Sequence, residues 1–147
     1  MMTRPEWMAI LARASAEELQ GLLSPLASLP SHRVIRGPEI GLTMLRGRAG
    51  GDGAAFNLGE ATVTRCSVTL EDGTLGHCWR LGRDRRAAEL AALLDACLQR
   101  PEWQEWQELL LTEVVMPLRQ SQQAAAELTA RRAAATEVRF ATLATMR

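Results

Sequence analysis

The chain has no lysine and no tyrosine, and only two phenylalanines, two histidines and three cysteines in 147 residues. Every basic residue is therefore arginine. The 17 arginines are scattered along the chain, the pattern that a GC-rich codon choice produces, and 17 acidic residues balance them to zero net charge. A nucleic-acid binder carries a basic surplus or a basic face, so this balance argues against that class. No apolar run approaches the length of a membrane span. The opening MMTRPEWMAIL lacks the charged-then-apolar layout of a secretory signal, and the expectation is a cytoplasmic protein. Three cysteines without paired spacing build no disulfide framework, and buried reduced thiols are the expected state. Two histidines leave little from which to assemble a metal site.

What is present organises around residues 60–84, EATVTRCSVTLEDGTLGHCWRLGRD. Asp72-Gly73 between two β-rich runs signals a two-residue hairpin turn. That turn sets Leu70 against Leu75, Val68 against His77, Cys66 against Trp79 and Thr64 against Leu81, all on one buried face. The same register puts Arg65 opposite Arg80 on the second face and leaves Cys66 and Cys78 on opposite faces. Cys66 and His77 become diagonal neighbours, the one suggestive pair of metal-binding side chains. Asp84 then caps a helix, 84–99, whose apolar stripe covers Trp79 and Leu75.

Upstream, Thr3 opens a helix with Pro5 in its first turn and Trp7, Ile10, Leu11 and Ala14 as its buried stripe. Ser15 and Glu18 form a capping box for a second helix, and Pro25 and Pro30 close the helical region. Arg33–Gly37 reads as a short strand stopped by Pro38, and Gly41–Arg48 as another. The loop Arg46–Gly53 sets glycines beside arginines. It has no Walker spacing, no lysine and no following helix, so a flexible surface loop stands ahead of a phosphate cradle. Phe56 and Leu58 are expected to pack at the sheet edge.

Downstream, Arg100-Pro-Glu-Trp103 opens a further helix. From Leu109 to Leu118 its apolar residues surround the whole circumference, and a helix of that kind is buried on several sides. Leu109, Leu111, Val115 and Met116 are accordingly the candidate partner-interface residues, with self-association expected of the isolated chain. Pro117 is expected to kink or end the helix. Residues 120–135 have helix propensity but few large apolar groups, which fits either a partner-embracing helix or a mobile tail. Val138 and Phe140 suggest a last short strand. The fold class is α+β: an antiparallel sheet around the 61–82 hairpin, N-terminal helices, a covering helix and a C-terminal helical arm. One domain spans 1–147, with an α+β core over 1–100 and a partner-binding arm over 101–147.

Candidates for chemistry are few. No nucleophile, acid–base pair or metal cluster presents itself, so no catalytic or metal-binding residue is nominated. Arg65, Arg80 and Arg83 are the candidate partner- or anion-binding residues, because a guanidinium fork can hold a carboxylate or phosphate through two hydrogen bonds. A solvated, internally paired surface is the alternative.

An ordered set of short features carries a family resemblance. Ala61-Thr62, Thr64-Arg65, Asp72-Gly73-Thr74, Gly76, Trp79 and Gly82-Arg83-Asp84 come first. Arg33–Glu39 with Gly41-Leu42, Gly50-Gly51 with Gly53, the Trp7 region and Arg139-Phe140 extend the set over nearly the whole chain. Together these resemble the PhnG family, a small subunit of the bacterial carbon–phosphorus lyase machinery. The resemblance implies phosphonate utilisation and partners of the PhnI, PhnH and PhnJ types. It implies a complex that displaces adenine from ATP by a phosphonate, yielding a ribose 1-phosphonate 5-triphosphate. Iron–sulfur and S-adenosylmethionine chemistry would belong to another subunit; no cofactor is expected in this chain, which lacks clustered cysteines. Two further readings are a direct gift of arginines to the triphosphate or phosphonate pocket, and an independent small-molecule-binding protein.

Overall fold

The computed structural model describes residues 2–26, 28–50 and 53–138. Helices α1 (Arg4–Leu11) and α2 (Ala16–Leu23) lead into an antiparallel sheet of β1 (His32–Gly47), β2 (Phe56–Leu70) and β3 (Leu75–Leu81), in the order β1-β2-β3. Helix α3 (Arg85–Leu98) follows, then a 3-10 turn (Pro101–Trp103), α4 (Gln104–Leu110), a π-helical turn (Leu111–Val115) and α5 (Met116–Ala135). The fold is α+β.

Both N-terminal helices begin where the capping residues stand. The Glu6 carboxylate accepts the Thr3 backbone N–H at 2.6 Å, and the Glu18 carboxylate accepts that of Ser15 at 2.8 Å. Asp84 caps α3 by accepting the Ala87 N–H at 2.8 Å, and its other oxygen accepts the Ala16 N–H at 3.1 Å. One carboxylate thus fixes the starts of α2 and α3 together. These bonds hold the Asp84 carboxyl below the usual range, the Ala87 bond contributing most.

Helix α3 is the centre of the molecule. Apart from half-buried Glu89, every residue from Ala87 to Leu98 is buried, including Asp95. The sheet covers one side, and α1, α2 and α4 pack on the others. Its alanines permit close approach. A side chain at Gly76 of β3 would collide with the Ala92 carbonyl and the Ala96 methyl, so α3 lies directly on the strand backbone.

The hairpin differs from expectation by one residue. Cα partners are Thr69 with Leu75, Ser67 with His77, Cys66 with Cys78, Arg65 with Trp79 and Val63 with Leu81. Leu70 and Leu75 are not partners. A two-residue turn of the expected kind needs positive φ at both Asp72 and Gly73, and only Gly73 has it, at φ 86. The Gly73 N–H bonds the Leu70 carbonyl at 3.0 Å and the Leu70 N–H bonds the Thr74 carbonyl at 3.0 Å. Three residues therefore form the loop, with glycine in the left-handed bulge position. Asp72 keeps ordinary backbone geometry because its side chain is engaged. It accepts the Thr74 N–H and hydroxyl at 3.0 and 2.9 Å and pairs with Arg100 at 2.9 Å.

One residue of slip turns every β3 side chain over. Gly76 and Cys78 face α3, while Leu75, Trp79 and Leu81 face outward, so α3 does not cover Trp79 or Leu75. Cys66 and Cys78 share the buried face directly opposite each other, as free thiols. His77 lies on the other face with Ser67, its Nδ1 2.8 Å from the hydroxyl, so it is no neighbour of Cys66. Burial pushes the thiols up, to about 11 for Cys66 and about 12 for Cys78 and Cys97.

Pro38 does not stop a strand. The two expected strands are one, β1, with register shifts around residues 34–39. β1 is an edge strand, so a proline there costs no interior ladder bond. Gly37, at φ 76, brings the chain so close to the Arg65 carbonyl that a Cβ would collide with it. Pro117 likewise neither ends the helix nor interrupts it. The chain stays helical to Ala135, and the wide π turn precedes the residue that lacks an N–H. Leu110, Val114, Val115 and Leu118 join the same core as α1 and α3, so the division at residue 100 does not mark an edge of that core. Val138 is described and lies outside any strand; Phe140 falls outside the described residues.

Candidate interaction surface

The site-forming features arise from where α3 stops. The face of β2 carrying Cys66, Val68 and Leu70 is buried under α3. By period-two alternation that face continues across β1 through Ile40, Leu42 and Met44, whose partners are Thr64, Thr62 and Glu60. Among the described residues these side chains stay largely open. Leu42 is 64% exposed, and Ile40 and Met44 are exposed beside it. Leu45, Phe56 and Leu58 extend the apolar surface toward the hairpin tip. The arm, residues 42–47 paired with 56–62, is thus a two-stranded ribbon with bare apolar side chains. Phe56 and Leu58 lie open to solvent, not packed at the sheet edge.

On the sheet's other face, Leu75, Trp79 and Leu81 are exposed, the last at 68%. Arg65 sits among them. Its Nε donates to Glu39 at 2.6 Å, and its guanidinium lies 5.4 Å from the Trp79 ring centre. Arg36 donates to the same Glu39 oxygen at 2.8 Å. These bonds, that of Arg36 first, hold the Glu39 carboxyl below its usual range. Contiguous apolar surface of this kind marks an interface.

The three candidate arginines do not converge. Arg65 opposes Trp79, not Arg80, and Glu39 balances it; Glu60 lies on the other face, and Glu71 accepts the Ser31 hydroxyl at 2.6 Å. Arg80 points to the helix side and donates to the Ala14 carbonyl at 2.5 Å, while its buried Nε has no partner among the described residues. Arg83 is exposed beyond the strand end and forms no ion pair among the described residues. Of the four apolar interface candidates, Leu109 and Met116 are exposed and Leu111 is half-buried. Val115 is 1% exposed and belongs to the chain's own core, so it cannot face a partner. The surrounding α1, α2 and α3 supply the cover that the sequence pattern assigned to another chain.

A buried carboxylate was not anticipated. Asp95 on α3 receives Arg4 through two bonds, 2.7 and 3.1 Å, the Trp7 indole N–H at 3.0 Å and the His77 backbone N–H at 3.0 Å. Gln99 adds a longer bond at 3.3 Å. The bond to Asp95 raises the Arg4 pKa. Three elements, α1, β3 and α3, are locked at one point, so Asp95 serves structure. Its signal was one acidic residue within the otherwise apolar run 90–98 of α3. Among the described residues no three His, Cys, Asp or Glu side chains converge as metal ligands, and no helix is long and apolar enough to cross a membrane.

A family model for the phosphonate metabolism protein PhnG matches residues 2–145. A Rhizobium meliloti (strain 1021) protein named alpha-D-ribose 1-methylphosphonate 5-triphosphate synthase subunit PhnG is 42% identical over 140 residues, covering 95% of this chain and 87% of that protein. The chain belongs to the PhnG family.

Proposed function

We propose that this chain is a non-catalytic subunit of a cytoplasmic phosphonate-utilising synthase, and that the bare hairpin arm is where it joins the assembly. Its partners are subunits of the PhnI, PhnH and PhnJ types. The assembly transfers the ribose 5-triphosphate part of ATP to a phosphonate and releases adenine. This chain itself supplies no cofactor; iron–sulfur and S-adenosylmethionine chemistry resides in another subunit. The observation that carries the reading is the uncovered arm. A two-stranded ribbon is marginal alone in water, and one with bare apolar side chains gains its stability by being covered.

Co-expression with the other synthase subunits tests this. The wild-type chain should co-purify, and Leu42→Asp with Leu58→Asp should be lost from the complex while staying folded. The isolated chain should release no adenine from ATP plus methylphosphonate. Turnover by the isolated chain, or undiminished assembly of the doubly substituted chain, would overturn the reading.

A further inference from the structure

A second surface lies away from the arm, at the start of α4. Trp103 and Trp106 stand three residues apart on one helical face, with ring centres 6.4 Å apart and planes inclined at 53°. With Ser28 and Pro30 opposite, they wall an open groove of about 730 Å³. Glu102, Glu105 and Glu108 line the same groove, and no basic side chain among the described residues does. Like charges at three-residue spacing on a helix repel one another, so this row is unfavourable unless a cation faces it. Glu102 has one: Arg100 pairs with it at 2.9 Å and lies 3.5 Å above the Trp103 ring centre. Arg100 thus shows how one face of the Trp103 ring takes a guanidinium, while Glu105 and Glu108 lack an ion pair among the described residues and Glu108 accepts the Gln104 amide N–H at 3.3 Å.

We infer that the Trp103–Trp106 groove receives an arginine side chain from a basic segment of a partner subunit, stacked on the indoles and paired with Glu105 and Glu108. The inference rests on the reading of the chain as a complex subunit. Arginine fits better than lysine, because a planar guanidinium stacks on an indole and also presents N–H groups to carboxylates at its edge. The lining carboxylates supply the charge complementarity, and the half-open aromatic walls supply the desolvated contact.

Two measurements separate this from the complex reading. In the first, the full chain alone is titrated with an acetylated nonapeptide of alternating glycine and arginine, and with the same peptide carrying neutral citrulline. The arginine peptide should bind about tenfold more tightly than the citrulline peptide. Glu105→Gln with Glu108→Gln should remove that advantage. Glu17→Gln with Glu127→Gln, which removes as much charge from residues that do not line the groove, should leave it intact. Equal binding of the two peptides, or equal loss in both double variants, overturns the groove. In the second, Glu105→Arg with Glu108→Arg is co-expressed with the other subunits, with circular dichroism to establish that it folds. Reduced co-purification supports a partner segment in the groove; wild-type yield overturns it. If even the wild-type chain fails to co-purify, the complex reading falls, and with it the partner-subunit occupant, while the peptide titration still decides the groove chemistry.

Discussion

The two ends of the β1–β2 ladder are built from similar residues and meet opposite fates. At one end, Val68 and Leu70 lie under α3, and β3 widens the sheet to three strands. At the other, Leu42, Met44 and Leu58 are just as apolar, and nothing among the described residues covers them. Hydrophobic character alone does not decide burial; the reach of α3 does. The covered end is fastened by polar groups as well. Asp95 gathers Arg4, Trp7 and the β3 backbone, and Gly76 lets the helix touch the strand. Among the described residues the arm has no comparable fastening, as the proposed docking surface would require.

The contrast is broken most severely at Asp95. Asp95→Ala leaves a partly buried arginine, an indole N–H and a strand N–H without their acceptor, and should cost about 3–5 kcal/mol. Urea unfolding would measure it, and a loss under about 1 kcal/mol would mean that water replaces the carboxylate. Gly76→Ala comes next. The added methyl meets the Ala92 carbonyl, and α3 must lift, at about 1–3 kcal/mol. On the bare end, Leu42→Asp should change the stability of the isolated chain by no more than about 0.5 kcal/mol, because an exposed side chain has little packing to lose. A loss as large as that of Gly76→Ala would show that the arm is covered in solution, by a second copy or by the chain itself.

These residues also separate what the sequence made legible from what it hid. Helix starts were readable because Thr3, Ser15 and Asp84 cap through local bonds. The hairpin was readable, but its register was not. Asp-Gly suits both a two-residue turn and a three-residue loop, and the choice rests on Asp72 bonding Thr74 and, from far along the chain, Arg100. The apolar pattern of β3 reinforced the wrong choice, since its larger apolar residues face outward and its buried ones are Gly76 and Cys78. Val115 was misread for a related reason: the circumference of 109–118 is apolar, but which side its own α1, α2 and α3 cover is a tertiary fact. The arm and the Trp103–Trp106 groove left no periodic signal, because an uncovered face and a covered one share the same alternation.

Acid should sharpen the comparison most gently, through two carboxylates of different standing. Asp84 binds two helix starts at the covered end, and Glu39 joins Arg36 and Arg65 on the open surface. Both carboxyls are held below their ordinary values, 3.8 for the aspartate and 4.5 for the glutamate. The folded chain therefore resists protons that the unfolded chain accepts. Each contribution is fully present above the ordinary value and is lost as pH falls through the depressed one. Asparagine keeps one acceptor oxygen where both of Asp84's are used, for Ala87 and Ala16, so Asp84→Asn should cost about 1 kcal/mol at pH 7. It should flatten the decline in urea midpoint below about pH 4, because the group that gains a proton on unfolding is gone. Glu39→Gln should flatten it less, since exposed ion pairs contribute little and are screened by salt. Equal acid limbs for the two variants would remove the distinction between a carboxylate that fastens the core and one that decorates the face left open for a partner.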